Sequence, residues 1–210
     1  RPGNIPGRAA LDAAAQSYRG QFDPAFGGFG RAPKFPRPSS LEFLLRYQRG
    51  ARLRGKDDAG ALNEALSTLR HMAAGGIFDH VGGGFHRYST ERTWLVPHFE
   101  KMLYDNAQLV SVYVEAYQIS GDELFASIAR RTLDYVLREM QDESGGFYSA
   151  SDADSLGPSG HSEEGYFYTW TPSELRAALN DEQLQMVTEI YRVSEHENFD
   201  GRSFFCRETE

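Results

Sequence analysis

The sequence predicts an all-α chain of helical hairpins whose long loops gather at one end. Three observations carry that prediction. Apolar residues recur at helical spacing in seven stretches of the 210 residues. The connections between those stretches alternate long and short. A Gly-Gly-Phe triplet stands in each long connection, at Gly27-Gly28-Phe29, Gly83-Gly84-Phe85 and Gly145-Gly146-Phe147. That period is too long for the common solenoid repeats and suits one helical hairpin plus a long loop.

The first helix spans Ile5 to Arg19, with Leu11, Ala14, Ala15 and Tyr18 on one face. The second is capped by Ser39 or Ser40, and Leu41, Leu44, Leu45 and Gln48 follow the i, i+3, i+4, i+7 rule. The third runs from Ala59 to Ala74, with Leu62, Ala65, Leu66 and Leu69 inward, and Gly75-Gly76 ends it. Pro97 suits a first helical position, so a fourth helix is expected from Pro97 to Ile119. Gly121-Asp122 breaks it from a fifth, which reaches Met140 with Phe125, Ile128, Ala129, Leu133, Val136 and Leu137 on its inner face. Pro172 to Leu179 forms a short sixth helix, and Asp181 caps a seventh over Glu182 to Tyr191.

Long loops are expected over 22–38, 75–96 and 142–171, and short links at Gly55 to Asp58 and Ser120 to Gly121. Helices joined by short links pack antiparallel. Every long loop therefore falls at the same end of the helix layer, giving one busy rim and one plain rim. In each long loop the triplet is followed by aromatic residues and a proline near the next helix start: Phe35-Pro36, Trp94 to Pro97, and Trp170-Thr171-Pro172. Gly-Gly admits positive φ or a close backbone approach, and the Phe can plug the gap between helix ends. The triplets shape the rim and do not react.

Composition narrows the function classes. Hydrophobic content of 40% and aromatic content of 13% are globular values. A net charge of -8 without a basic run argues against nucleic acid and anionic membrane as partners. No apolar run approaches membrane-spanning length. Cys206 is the only cysteine, which excludes an internal disulfide, a CxxC pair and a cysteine-based zinc site, and favours a cytoplasmic setting. The six histidines have no metal-ligand spacing, so neither a metal nor a cofactor is expected. The chain begins at Arg1 and ends in a polar stretch, as a piece of something longer would.

Chemistry-bearing residues concentrate in two loops. His98, in the first turn of the expected fourth helix, would be kept neutral by the helix dipole and able to accept a proton. Asp105 shares its face, too far along the axis for a direct dyad. Asp152 and Asp154 stand two apart, facing the same way if the segment is extended. Glu163 and Glu164 follow. Such carboxylates suit general acid/base work on sugar carbons, because paired carboxyls shift one another's pKa. Calcium is the other use of such a loop, but the spacing matches no standard calcium loop. Tyr166, Tyr168 and Trp170 alternate as one face of an extended run, and His86 and Tyr88 do likewise; such faces can stack on sugars or seal a core.

Several stretches together resemble a known family. They are Gly27 through Pro36, Gly82 through Tyr88, the run Trp94-Leu95-Val96-Pro97-His98-Phe99-Glu100-Lys101-Met102-Leu103-Tyr104-Asp105-Asn106-Ala107, Asp152-Ala153-Asp154-Ser155 and Glu163 through Trp170. They look like the thioredoxin-domain-containing, spermatogenesis-associated protein 20-like family. The resemblance implies an N-terminal thioredoxin-like domain, absent here, followed by an (α/α)6 toroid similar to six-hairpin glycosidases and N-acylglucosamine 2-epimerases. Residues 1–210 would then be about half of that α/α toroid. Leu156 to Ser162 departs from the family pattern as an insertion between the two acidic elements.

The expected function is a carbohydrate-active domain, sugar isomerase/epimerase-like or glycosidase-like. His98, Asp152, Asp154 and Glu164 are its acid/base candidates. His86, Arg87, Tyr88, Trp94, Asp105, Tyr168 and Trp170 are its substrate-binding candidates. The partners this implies are a sugar or glycan and the attached thioredoxin-like domain. The other reading is a non-enzymatic module that presents clients to that redox domain. Half a ring would also leave apolar faces bare, so self-association is expected.

Overall fold

A computed structural model describes residues 7–56, 59–191 and 201–207. Among them are seven α-helices: α1 (Arg8–Arg19), α2 (Pro38–Arg52), α3 (Ala59–Ala74), α4 (Leu103–Ser120), α5 (Glu123–Tyr135), α6 (Pro172–Ala178) and α7 (Asp181–Ile190). Short links join α2 to α3 and α4 to α5, and each pair packs as a hairpin. Across hairpins, α2 packs on α4 and α1 on α3. Alternate helices thus lie in separate layers, which is the arrangement of an α/α toroid. The core between the layers is Leu41, Leu44 and Leu45 of α2, Ala61, Ala65 and Leu69 of α3, Leu109, Val112 and Tyr113 of α4, and Phe125 and Ile128 of α5. Each large side chain buried there contributes about 1.5–3 kcal/mol.

The helical periodicity is accurate where the packing is tight, and its failures have local causes. Pro38 itself opens α2, with Arg37 in the left-handed region at φ 47° and no side-chain cap; Ser40 instead bonds the Tyr18 hydroxyl. Asn180, not Asp181, caps α7, through a reciprocal capping box with Gln183. On α1 only Ala15 is buried, and Leu11 is exposed. The inner face of α5 is Phe125, Ile128, Ala129, Thr132 and Tyr135, whereas Leu133 and Leu137 are exposed. The helix closes with a π turn over Val136–Met140. The expected start at Ile5, the end of the link at Asp58, and His196 lie outside the described residues.

The largest correction concerns Pro97. It does not start a helix, because Pro97–His98 and Lys101–Met102 form ladder pairs instead. The strands are β1 (Tyr88–Ser89), β2 (Pro97–His98), β3 (Lys101–Met102), β4 (Ala150–Ser151), β5 (Asp154–Leu156) and β6 (Ser162–Glu164). They pair antiparallel as β1 with β2, β3 with β4 and β5 with β6. Lys34 and Ser89 exchange both backbone hydrogen bonds, each 2.8 Å, joining the first loop to the second. The β3–β4 pair joins the second to the third. The three long loops therefore do share one rim, knitted together by strand fragments.

The three triplets share a hydrogen-bonding pattern, the first two also their spacing and the positive φ of both glycines. The Phe of each bridges back to a residue shortly after the preceding helical segment: Phe22 with Phe29, Phe78 with Phe85, Gln141 with Phe147. The next residue is always an aspartate, and its N–H donates to the carbonyl of the second glycine (Asp23 to Gly28, Asp79 to Gly84, Asp142 to Gly146). Its carboxylate accepts from N–H groups inside the loop, as at Ala25, Gly82 and Ser144. In the first two loops a buried lysine completes the clamp. Lys34 Nζ donates to Asp23 and to Gly27 O, and Lys101 Nζ to Asp79 and to Gly83 O.

Candidate functional site

The third long loop is a β-hairpin, and the apparent insertion Leu156 to Ser162 is its end. Its register places Asp154 opposite Glu164 and Ser155 opposite Glu163. Directly paired residues share a face, so the two acidic elements do meet. Asp152 lies just before the hairpin, where its carboxylate accepts from the Asp154 N–H at 3.2 Å. Glu164 Oε1 lies 2.7 Å from His98 Nδ1. A carboxylate only accepts, so Nδ1 carries the hydrogen. The four acid/base candidates thus converge on one hairpin.

His98 is not on a helix, and the dipole argument for its neutrality does not apply. It sits in β2 opposite Tyr88, whose ring stacks on it with centroids 5.0 Å apart. Its Nε2 lies 3.3 Å from Glu100, which in turn takes a 2.7 Å hydrogen bond from Arg87. Arg87 also acts on Asp105, in the first turn of α4. Burial raises the Asp105 carboxyl to about 6, against the lowering influence of Arg87 and Tyr104. Arg87, Tyr88, His98, Glu100, Asp105 and Glu164 form one polar row.

A cleft of about 570 Å3 opens beside this row. Its lining includes Asp152, Asp154 and Ser155, the aromatic Phe167, Tyr168 and Trp170, and Asp79, Lys101, Tyr135, Arg138 and Glu139. Tyr166–Tyr168 is a turn of 3-10 helix rather than a strand, so the expected alternation fails. Tyr168 and Trp170 still reach the cleft, while Tyr166 faces the Arg202 guanidinium at 4.4 Å. His98 and Glu164 border the cleft without lining it.

Two substrate-binding candidates are out of reach. Trp94 is fully buried at φ 67°, its indole N–H bonded to Phe26 O at 2.8 Å and its ring against Gly28. It locks the first loop to the second. His86 is buried between Phe99 and Tyr168, with Nδ1 2.9 Å from Phe99 O. Burial pulls its pKa down to about 3, so the ring is neutral and structural.

Sequence reading passed over Asp79, Lys101, Tyr135 and Arg138. Lys101 is the most deeply placed of them, its ammonium 4.2 Å from the Tyr135 ring centroid and 4.8 Å from that of Tyr168. Asp79 answers it at 2.7 Å. Burial alone would raise the Asp79 carboxyl, but the Lys101 charge and the loop N–H groups hold it at about 2. One signal for the pair was available. An aspartate precedes the first glycine by four residues in both of the first two triplets, and a lysine follows each.

No family model matches the chain. Spermatogenesis-associated protein 20 of Mus musculus is 54% identical over 159 residues, covering 75% of this chain, and that of Homo sapiens is 53% identical over the same share. An uncharacterised protein of Caenorhabditis elegans is 41% identical over 171 residues, or 78% of this chain and 23% of its own length. The chain spans about a fifth of the length of the mouse and human relatives. Among solved structures, cellobiose 2-epimerase from Spirochaeta thermophila matches with a TM-score of 0.55 at 24% identity over 69% of this chain and 41% of its own. Cellobiose 2-epimerase from Bacillus thermoamylovorans matches with the same score at 14% identity over 75% and 46%. A sugar epimerase from a ruminal bacterium gives 0.53 at 18% identity over 68% and 40%. These likenesses establish the toroid fold.

Proposed function

The chain belongs to the spermatogenesis-associated protein 20 family, and we propose that its long-loop rim is a carbohydrate site performing acid/base chemistry of the isomerase/epimerase or glycosidase kind. One observation carries this reading: a single cleft is lined both by the carboxylates Asp152 and Asp154 and by the aromatic rings of Phe167, Tyr168 and Trp170. Aromatic faces take the apolar face of a sugar ring, and carboxylates take its hydroxyls and exchange its protons. The sugar epimerases of like fold motivate the substrate class; the side chains motivate the chemistry.

In this reading Asp154 and Asp152 act from the cleft. His98, oriented at Nδ1 by Glu164, serves the hairpin's border, with Nε2 as the proton-exchanging atom. For an isomerisation, one group removes the proton beside an open-chain carbonyl and another returns a proton at the same or the neighbouring carbon. The test is a panel of reducing mono- and disaccharides, incubated with this chain and with a full-length homologue and followed by proton NMR for new anomeric signals or cleaved glycosidic bonds. Turnover that falls about 100-fold or more in Asp154→Asn supports the reading. A correctly folded full-length protein that neither binds nor converts any sugar overturns it.

A further inference from the structure

We infer that the rim cleft selects a ligand bearing a positive charge, an ammonium group, over neutral and anionic ligands of the same shape. The inference rests on reading the cleft as a ligand site and names the class of ligand that site prefers. Its first support is charge. Four carboxylates line the cleft, Asp79, Glu139, Asp152 and Asp154, against two cations, Lys101 and Arg138. Both cations are committed within the protein. Lys101 is held by Asp79 and Gly83 O, and Arg138 by Glu139 and Gly82 O. Asp152 and Asp154 are exposed, without a cationic side chain paired to them among the described residues. A cleft lined by one excess sign concentrates ligands of the opposite sign.

The second support is independent and lies at the floor. Tyr135 is 4% exposed and its hydroxyl, shut off from solvent, makes no hydrogen bond. Ser151 stands near enough to act on this hydroxyl, but no hydrogen bond of ordinary geometry forms between them. Buried hydroxyls are nearly always satisfied, so an orphan lining a cleft marks a place for a ligand's polar atom. The Tyr135 ring packs on Gly84 on one side and meets the Lys101 ammonium on another, which fixes where its hydroxyl stands. Phe167 and Trp170 also line the cleft, and aromatic rings of this kind attract cations. A ligand with an ammonium toward Asp152 and Asp154 and a hydroxyl toward Tyr135 satisfies both observations. A phosphate or carboxylate would meet unneutralised aspartates.

The experiment uses the full 210-residue chain and four probes: glucosamine, glucose, glucose 6-phosphate and n-butylammonium, titrated by calorimetry or NMR at low salt. Glucosamine is expected to bind about three- to ten-fold tighter than glucose, the phosphate more weakly than either, and the preference to shrink as salt is raised. The double variant Asp152→Asn/Asp154→Asn should abolish the preference while leaving the circular dichroism spectrum unchanged. Tyr135→Phe, which removes only the orphan hydroxyl, should weaken both uncharged and amino sugar several-fold. Equal binding of glucose and glucosamine overturns the inference and leaves the sugar reading standing. Binding of n-butylammonium and glucosamine alike, with none of glucose, upholds the inference and removes the sugar reading. No binding of any probe overturns both, and an unchanged Tyr135→Phe overturns the role of the floor.

Discussion

Asp105 shows how little a residue's neighbours in sequence say about its chemistry. Its place in the first turn of α4 should favour its charge, yet burial raises the carboxyl to about 6. The folded chain therefore holds this proton longer than the unfolded chain does. The resulting loss of stability is absent below about pH 4 and complete above about pH 6. Asp105→Asn should thus stabilise the protein by about 1–3 kcal/mol at pH 7 and leave it unchanged near pH 4, measured by urea unfolding at both pH values. Asp79 has the opposite sign. Its carboxyl is depressed to about 2 in contact with Lys101, so its contribution is present above about pH 4 and lost as pH falls toward 2. Asp79→Asn leaves the Lys101 ammonium buried without its counter-charge and should cost about 3–5 kcal/mol at pH 7. A loss under 1 kcal/mol would show that the clamp is not what holds the middle loop. At this scale the sequence was partly legible. His98, Asp152, Asp154 and Glu164 stand out because their residue types are reactive; His98 meets Glu164, and Glu164 pairs with Asp154 in the hairpin, while only Asp152 and Asp154 line the cleft. Asp79, Lys101 and Tyr135 looked like loop and helix filler, because their importance comes from burial, which no short window of sequence displays.

The helices were legible because a 3.6-residue period extends over four or five turns and is set by one buried face. The strand fragments were not, since two or three residues carry no period at all. That is why Pro97 read as a helix start: proline suits both a first helical turn and the edge of a strand, and only the pairing with Ser89 decides. The triplets show the converse, a pattern visible in sequence whose energetics differ from loop to loop. Gly84 has φ 77°, and a Cβ there would stand 2.4 Å from the Tyr135 ring. Gly146 has an ordinary φ, and its nearest neighbour is a flexible serine hydroxyl at 4.0 Å. Gly84→Ala should therefore cost about 2–4 kcal/mol, through backbone strain and overpacking together. Gly146→Ala should stay within about 0.5 kcal/mol of the parent. Equal effects in denaturant melts would mean that the three loops are equivalent, against the geometry. Because Gly84 abuts Tyr135, the first substitution should also disturb ligand binding at the cleft floor, whereas the second should not.

At the scale of the molecule, the layers of helices are finished on one side and bare on another. Leu133 of α5 is 46% exposed and Leu137, in the π turn that follows it, 56%, and Phe147 and Tyr148 beyond that turn are about as open. The third triplet departs from the other two in the same place. Phe29 and Phe85 plug the core, while Phe147 does not, and no lysine clamps Asp142 as Lys34 and Lys101 clamp their aspartates. Contiguous exposed apolar side chains of this kind mark a contact surface. The expected outcome is that the chain pairs through the α5 face in solution. Sedimentation should show concentration-dependent association in the micromolar range, and Leu133→Glu/Leu137→Glu should weaken it about ten-fold or more by placing unpaired charge in the contact. Both positions lie on the surface, so the variant should melt at the parent's temperature, which separates loss of association from loss of fold. A parent that sediments as a monomer at all concentrations would refute the pairing. The cleft sits beside this face, since Tyr135, Arg138 and Glu139 come from the same helical segment. Association there would therefore tighten or narrow the cleft, and the sugar panel run at concentrations above and below the association midpoint would read that coupling as a change in apparent affinity.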